Sequence, residues 1–328
     1  MNTRREFGSI LIGATLSLTS SIRAIAQTPG YPDRIVRIIV PYTAGSTDLV
    51  ARLLGAALGE FWKQTVIIQN MPGGGTIVGT NYVVRSPADG YTLLLSTSTI
   101  SILPAIHQSL NFDIQTDLVP ISRIADTPNI LVVSNSVPAK SLQEFIAFAK
   151  KNPGTVTYSS AGAGTANHLA MALIGLKEGL ELLHIPYRGA APAVTAVVSG
   201  EVNSSYMPME TVLSMSKAGK LRALAISSSQ RLDGAPEIPT FAEAGMKDFV
   251  PSNQWHALFA PKGTPPSVIS TISASIKKVF ENAEVRKHFT DVYMFPTPSS
   301  PSQSAEYLKS EVARWDGVVK DAKIPRQD

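Results

Sequence analysis

The 328-residue chain contains no cysteine. That absence excludes disulfide scaffolds, thiolate metal centres, CxxC redox chemistry and cysteine nucleophiles. Charge is also scarce, at 16% of residues against 44% apolar ones, which excludes disorder as the main state. The formal charge is +4, and half of it comes from Arg4, Arg5 and Arg23 against Glu6 in the first 26 residues. The remaining body is near neutral, without lysine or arginine clusters, so no nucleic-acid partner is expected. His107, His168, His184, His256 and His288 show neither HExxH nor HxH spacing, and no metal site is expected. The GxSxG elbow, the GK[ST]-ended phosphate loop and GxGxxG are missing too. Ser159, Ser160 and His168 can be drawn as a catalytic group. However, Asn167-His168 opens a helix, where a histidine more often caps or packs. Neither catalysis nor a cofactor is expected.

What is present starts with an export leader over residues 1–26. Arg4 and Arg5 supply a positive start, Ile10 to Leu18 a short apolar run, and Ala24-Ile25-Ala26 an A-x-A cleavage site. Thr3-Arg4-Arg5-Glu6-Phe7 resembles the twin-arginine export motif; an ordinary Sec leader is the alternative. The apolar run falls short of the ~20 residues that span a bilayer. The expectation is a periplasmic protein, soluble once cleaved near Ala26.

Three segments then repeat one pattern of apolar strand, small-residue turn and helix. RIIV leads through PYTAGSTD into LVARLLGAALGEF. TVTYSS leads through AGAGTA into NHLAMALIGLKEG. ELLHIPY leads through RGAAP into AVTAVVSG. VIIQ, YTLLLST, NILVVS and LRALAIS read as further strands. SLQEFIAFAKKN reads as a helix with Ser141 as its N-cap and Glu144 at the capping-box position. PSVISTISASIKKVFENAEVRKHF and PSQSAEYLKSEVARWDGVVKDA read as two C-terminal helices. Strands alternating with helices predict an α/β fold with parallel sheets. An extended stretch from Leu118 to Val133 and another from Leu221 to Arg231 suit crossings between two lobes. Residues 27–125 and 230–328 would form the first lobe, and 126–229 the second.

Each of the three turns ends a strand and opens a helix. Free backbone N–H groups and the positive end of the helix dipole therefore point the same way. Small residues let an anion approach, and hydroxyls of Thr43, Ser46, Thr47 and Thr165 add donors. Closing a βα connection explains any one such turn; three together in an exported chain favour binding.

Several stretches are distinctive in themselves: VRIIVPYTAGSTDLVARLL, MPGGGTIVGTNYVV, SPADGYTLLLST, AGAGTANHLA, IPYRGAAPAV, KAGKLRALAISSSQR, IPTFAEAG and APKGTPPSV. In this order they resemble the periplasmic solute-binding receptors of tripartite tricarboxylate transporters, the Bug or TctC family, across essentially the whole mature chain. The resemblance implies a two-lobed periplasmic binding fold of the type II kind, closing a cleft around a small carboxylate. It implies a di- or tricarboxylate, or an aromatic or aliphatic acid, handed to membrane permease subunits. A sensor subunit that presents its ligand to a sensor kinase is the alternative from another class. Carried over by motif, the candidate ligand loops are Tyr42, Thr43, Ala44, Gly45, Ser46, Thr47 and Asp48, then Ala161, Gly162, Ala163, Gly164 and Thr165. Tyr187, Arg188 and Gly189 lie beside them, and Ser96, Thr97, His168 and Met207 complete the set. Two departures stand out. The first loop has only Gly45 where relatives carry a double glycine. Met207 stands where relatives often carry an aspartate, which leaves two readings open: core packing, or a ligand with an apolar body and no ammonium group to pair.

Overall fold

A computed structural model describes residues 30–247, 249 and 252–326, so the leader lies outside the described residues. Residues Pro32–Asp328 form one compact unit. In chain order the elements are β1 (Val36–Val40), α1 (Ser46–Trp62), β2 (Val66–Asn70), α2 (Ile77–Val84), β3 (Thr92–Thr97), α3 (Leu103–Ile106) and β4 (Leu118–Thr127). Then come β5 (Asn129–Val133), α4 (Leu142–Lys151), β6 (Val156–Ser160), α5 (Ala166–Glu178), β7 (Leu182–Pro186), α6 (Ala190–Ser199), β8 (Ser204–Pro208), α7 (Met209–Lys217) and β9 (Arg222–Ile226). The chain ends with β10 (Gln254–Pro261), α8 (Pro266–Val279), α9 (Ala283–Thr290), β11 (Phe295–Pro296) and α10 (Pro301–Asp321).

The strands make two sheets, ordered β11-β4-β10-β3-β1-β2 and β7-β6-β8-β5-β9. Strands joined through a helix pair in parallel: β1 with β2 and β3, and β6 with β7 and β8. The sheets are nevertheless mixed rather than parallel throughout. β10 runs antiparallel to β3 and β4, and β5 antiparallel to β8 and β9. The antiparallel strands include those that carry the chain between the sheets, and a strand arriving from the other sheet need not follow a βαβ crossover.

The chain leaves the first sheet at Pro128, between β4 and β5, and re-enters it at β10. The second crossing comes later than the expected boundary at 230. Leu232, Ala235 and Ile238 pack with Ile226 and Met207 on one face of the second sheet, while Phe241, Met246 and Phe249 pack with Tyr206 on the other. Hydrogen bonds fasten the two crossings side by side. Asn129 Nδ2 and the Tyr206 hydroxyl both donate to the Ser252 carbonyl at 2.8 Å.

The long C-terminal helical stretch also differs from expectation. It breaks into α8 and α9, because the Asn282 side chain accepts from Glu284 N at 2.8 Å and caps a new helix. Ser141 caps α4 as expected, but Glu144 reaches back to Lys140 N rather than completing a capping box. The far half of α10 spans the two sheets' flanks: Trp315, Val318 and Val319 pack with Ile102 and Ile106 as well as Leu169.

Gly79, in α2, sets how closely that helix approaches the end of β1. A Cβ there would lie 2.8 Å from the Met71 carbonyl oxygen and 2.9 Å from Pro41 Cβ. Backbone atoms cannot yield as a flexible side chain does. Gly79→Ala should cost about 1–3 kcal/mol, read as a lower urea midpoint at unchanged slope. An unchanged midpoint would mean that the helix shifts freely.

Candidate functional site

β1 is almost wholly buried, so its carboxyl end delivers the chain at a fixed point. The Tyr42 hydroxyl shares a hydrogen bond with Thr97 Oγ1 at 2.7 Å, and its carbonyl accepts from Asn70 Nδ2 at 3.0 Å. Burial raises the Tyr42 phenol above its ordinary value, so it stays protonated. Thr43, Ala44 and Gly45 then form an exposed tip before α1 starts at Ser46. Thr47 and Asp48 are buried in the first turn of α1, and Asp48 Oδ2 accepts from Arg52 Nε at 2.8 Å. Ser46 Oγ, Ser96 Oγ and Ser98 Oγ are buried without a hydrogen-bond partner.

The second turn is organised from within. Gly164, at φ 75°, occupies the left-handed region, and its N–H donates to His168 Nδ1 at 3.0 Å. Thr165 Oγ1 donates to the Gly162 carbonyl at 2.7 Å. The Thr165 hydroxyl is thus committed to the turn and leaves the first turn of α5 without a side-chain cap. The third turn is strapped to the second: Tyr187 N donates to Ser160 O at 3.1 Å and Gly189 N to Ala161 O at 3.2 Å.

The candidate turns are among the helix starts that no side chain caps. Side chains of Ser141, Asn282 and Ser300 cap α4, α9 and α10. No side chain caps α1, α5, α6 or α7, each of which starts where a strand ends; α2, α3 and the proline-led α8 share that lack. First-turn N–H groups need acceptors. Small residues, 43–45 and 161–164, precede α1 and α5, whereas Tyr187 and Arg188 precede the Gly189 N-cap of α6.

Three sequence-based candidates take other roles. Met207 is fully buried among Ile130, Val132, Val197 and Val212, because alternation along β8 turns it to the face opposite Tyr206. It is a core residue. The Tyr187 phenol donates to Glu201 Oε1 at 2.7 Å, just past the other end of α6, and so is drawn away from the turn. His168 stacks on His184 with ring centroids 3.8 Å apart, its Nδ1 already engaged by Gly164. Arg188 is exposed and forms no ion pair among the described residues.

Burial holds His168 and His184 neutral, pushed down to about 3 and about 4. An unfolded chain binds protons at both once pH drops below ~6.5, whereas the folded chain does not. Stability supplied by this pair is present above ~6.5 and is lost as pH falls towards 4. Urea midpoints measured from pH 7 to pH 5 should therefore fall, with a smaller fall in His184→Gln. Equal falls would contradict a buried neutral pair.

One residue escaped sequence reasoning. Glu210, in the first turn of α7, has both carboxylate oxygens buried without a hydrogen-bond partner. Burial pushes it up to about 7, and the Ser46 hydroxyl on α1 stands near enough to oppose that rise. Pro208-Met209-Glu210 ends a strand and opens a helix just as the three recognised turns do, and that position was the available signal.

The family model described as tripartite tricarboxylate transporter family receptor, TctC, matches residues 50–324. The chain belongs to this family. The receptor is 37% identical over 306 residues to protein BugT of Bordetella pertussis, covering 92% of this chain and 94% of that one. It superposes with a TM-score of 0.83 on R. palustris Rpa4515 with adipate, at 29% identity over 90% of this chain and 100% of the other. MatC from Rhodopseudomonas palustris with bound malate gives a TM-score of 0.79 at 27% identity, over 88% and 100% of the two chains. The receptor's family and these neighbours are solute-binding receptors rather than enzymes. No helix among its described residues is long and apolar enough to cross a membrane.

Proposed function

We propose that this receptor captures a small carboxylate in the periplasm and delivers it to the permease subunits of a tripartite tricarboxylate transporter. The observation that carries the reading is the set of helix starts at α1, α5 and α6 that no side chain caps, at the carboxyl ends of their strands, with small residues ahead of α1 and α5. N–H groups and helix dipoles there favour an anion without needing a cation. Relatives that hold adipate and malate support a carboxylate as that anion. The candidate set reduces to Tyr42 and Ser46–Asp48 on the first sheet, with Ser96 and Thr97 behind them, and Ala161–Thr165 with Gly189 on the second. The paired crossings at Pro128 and Ser252 are the natural hinge for closing one sheet on the other, since few residues there need change conformation.

The test is thermal unfolding of the mature chain against mono-, di- and tricarboxylates. A ligand at 100 times its Kd should stabilise the fold by about 2.7 kcal/mol. Stabilisation by cations or neutral sugars, with none by any carboxylate, would overturn the reading.

A further inference from the structure

The anion-binding turns account for one charge on the ligand, but the same region also holds a buried carboxyl group of the protein. Glu210 sits at the start of α7, directly after β8, and β8 pairs in parallel with β6, whose end forms the Ala161–Thr165 turn. Asn167, in the first turn of α5, donates from Nδ2 to the Tyr206 carbonyl at 2.8 Å, tying the two strand ends together. From the other sheet the Ser46 hydroxyl approaches the Glu210 carboxylate. Glu210 therefore lies beside the start of α1 and opens the helix after β8, the strand next to β6.

Both of its oxygens are buried without a hydrogen-bond partner of ordinary geometry, and the groups close enough to favour its charged form are neutral: the Ser46 hydroxyl and its own backbone N–H. Glu210 forms no ion pair among the described residues, and no lysine or arginine acts on it. Asp48, the other carboxylate on this side, differs because Arg52 meets it. A buried carboxylate without a counter-charge is costly, so burial favours its protonated form, and a cation brought by a ligand would favour the ionised one.

We propose that Glu210 is a specificity-determining residue that receives an ammonium group of the ligand, so that the receptor selects amino-bearing carboxylates over their plain counterparts. The inference rests on the carboxylate reading above and refines it. It takes the place of one of the two readings that Met207 left open, a ligand with an apolar body and no ammonium group to pair. With the ligand's carboxylate at the turns and its ammonium at Glu210, the zwitterion leaves no charge in the site unpaired. A plain carboxylate would bring a second negative charge towards Glu210 and force one of the two to take a proton.

The experiment is calorimetry at pH 8 with matched probes: aspartate against succinate, glutamate against glutarate, and β-alanine against propionate. Titrations run in two buffers of different ionisation enthalpy, so that proton uptake is counted. In the pair of suitable length the amino member should bind at least about ten-fold tighter, with no proton uptake. Glu210→Gln should weaken that member about 10- to 150-fold and leave its plain counterpart unchanged or tighter. The variant keeps side-chain size and removes a buried charge, so its fold should hold; a melting curve checks this. Tighter binding of the plain acids with uptake of a proton would overturn the inference while leaving the carboxylate reading intact, as Glu210 would then act as a donor. Equal affinities within every pair, or no effect of Glu210→Gln, would also overturn it. Failure of all six acids to bind, when other solutes do, would remove the carboxylate reading and this inference together.

Discussion

Met207→Asp is expected to unfold the second sheet rather than simply to weaken ligand binding. Met207 is fully buried among Ile130, Val132, Val197 and Val212, and no cation stands in that cluster to meet a carboxylate. An uncompensated buried charge costs on the order of 4 kcal/mol, in addition to the lost packing of the thioether. At roughly 2–4 °C per kcal/mol, the melting temperature should fall by about 10 °C or more. Met207→Leu keeps the volume and should cost less than about 1.5 kcal/mol. A Met207→Asp protein as stable as its parent but unable to bind would place the side chain against ligand and overturn the core assignment.

The largest effect on binding is expected at Ser46. Its hydroxyl opens α1, is buried at the helix start and stands beside the Glu210 carboxyl, where a ligand carboxylate that meets the α1 N–H groups can take its proton. Hydrogen bonds to charged groups are worth ~1.5–3 kcal/mol, so Ser46→Ala should weaken carboxylate binding roughly 10- to 150-fold. Thr165→Val should act less, because its hydroxyl already donates to the Gly162 carbonyl. Arg188→Gln removes an exposed guanidinium, and its effect should be small and should vanish as salt is raised. The measurement is calorimetry with whichever carboxylate most raises the melting temperature. A larger loss from Arg188→Gln than from Ser46→Ala would mean that a single cation, rather than neutral donors, holds the ligand.

The sequence was most readable where local chemistry sets local structure. RIIV followed by PYTAGSTD announces a buried strand and a helix start, and α1 opens at Ser46 within that turn. The same holds for Ser141 before α4 and for the proline-led start of α10. What escaped depends on partners far along the chain. WHALFA is apolar enough for a strand, yet its antiparallel place between β3 and β4 follows from the return out of the second sheet. The packing of Phe241 and Met246 on that sheet follows from the same late return. Met207 shows the limit most clearly. Its motif position left the cleft and the core both open, while strand alternation puts it in the core and leaves Glu210, three residues later in the first turn of α7, beside Ser46.

A crystal structure of the mature protein grown with a stabilising carboxylate tests the central claim most directly. The receptor also carries a groove of about 780 Å³ lined by His184, Leu180 and Ile324, on the flank where the C-terminal end lies beside α5. The account predicts carboxylate oxygens about 2.7–3.2 Å from the first-turn N–H groups of α1 and of α5 or α6. A carboxylate seated in the His184 groove, with those turns making no contact to it, would contradict the account.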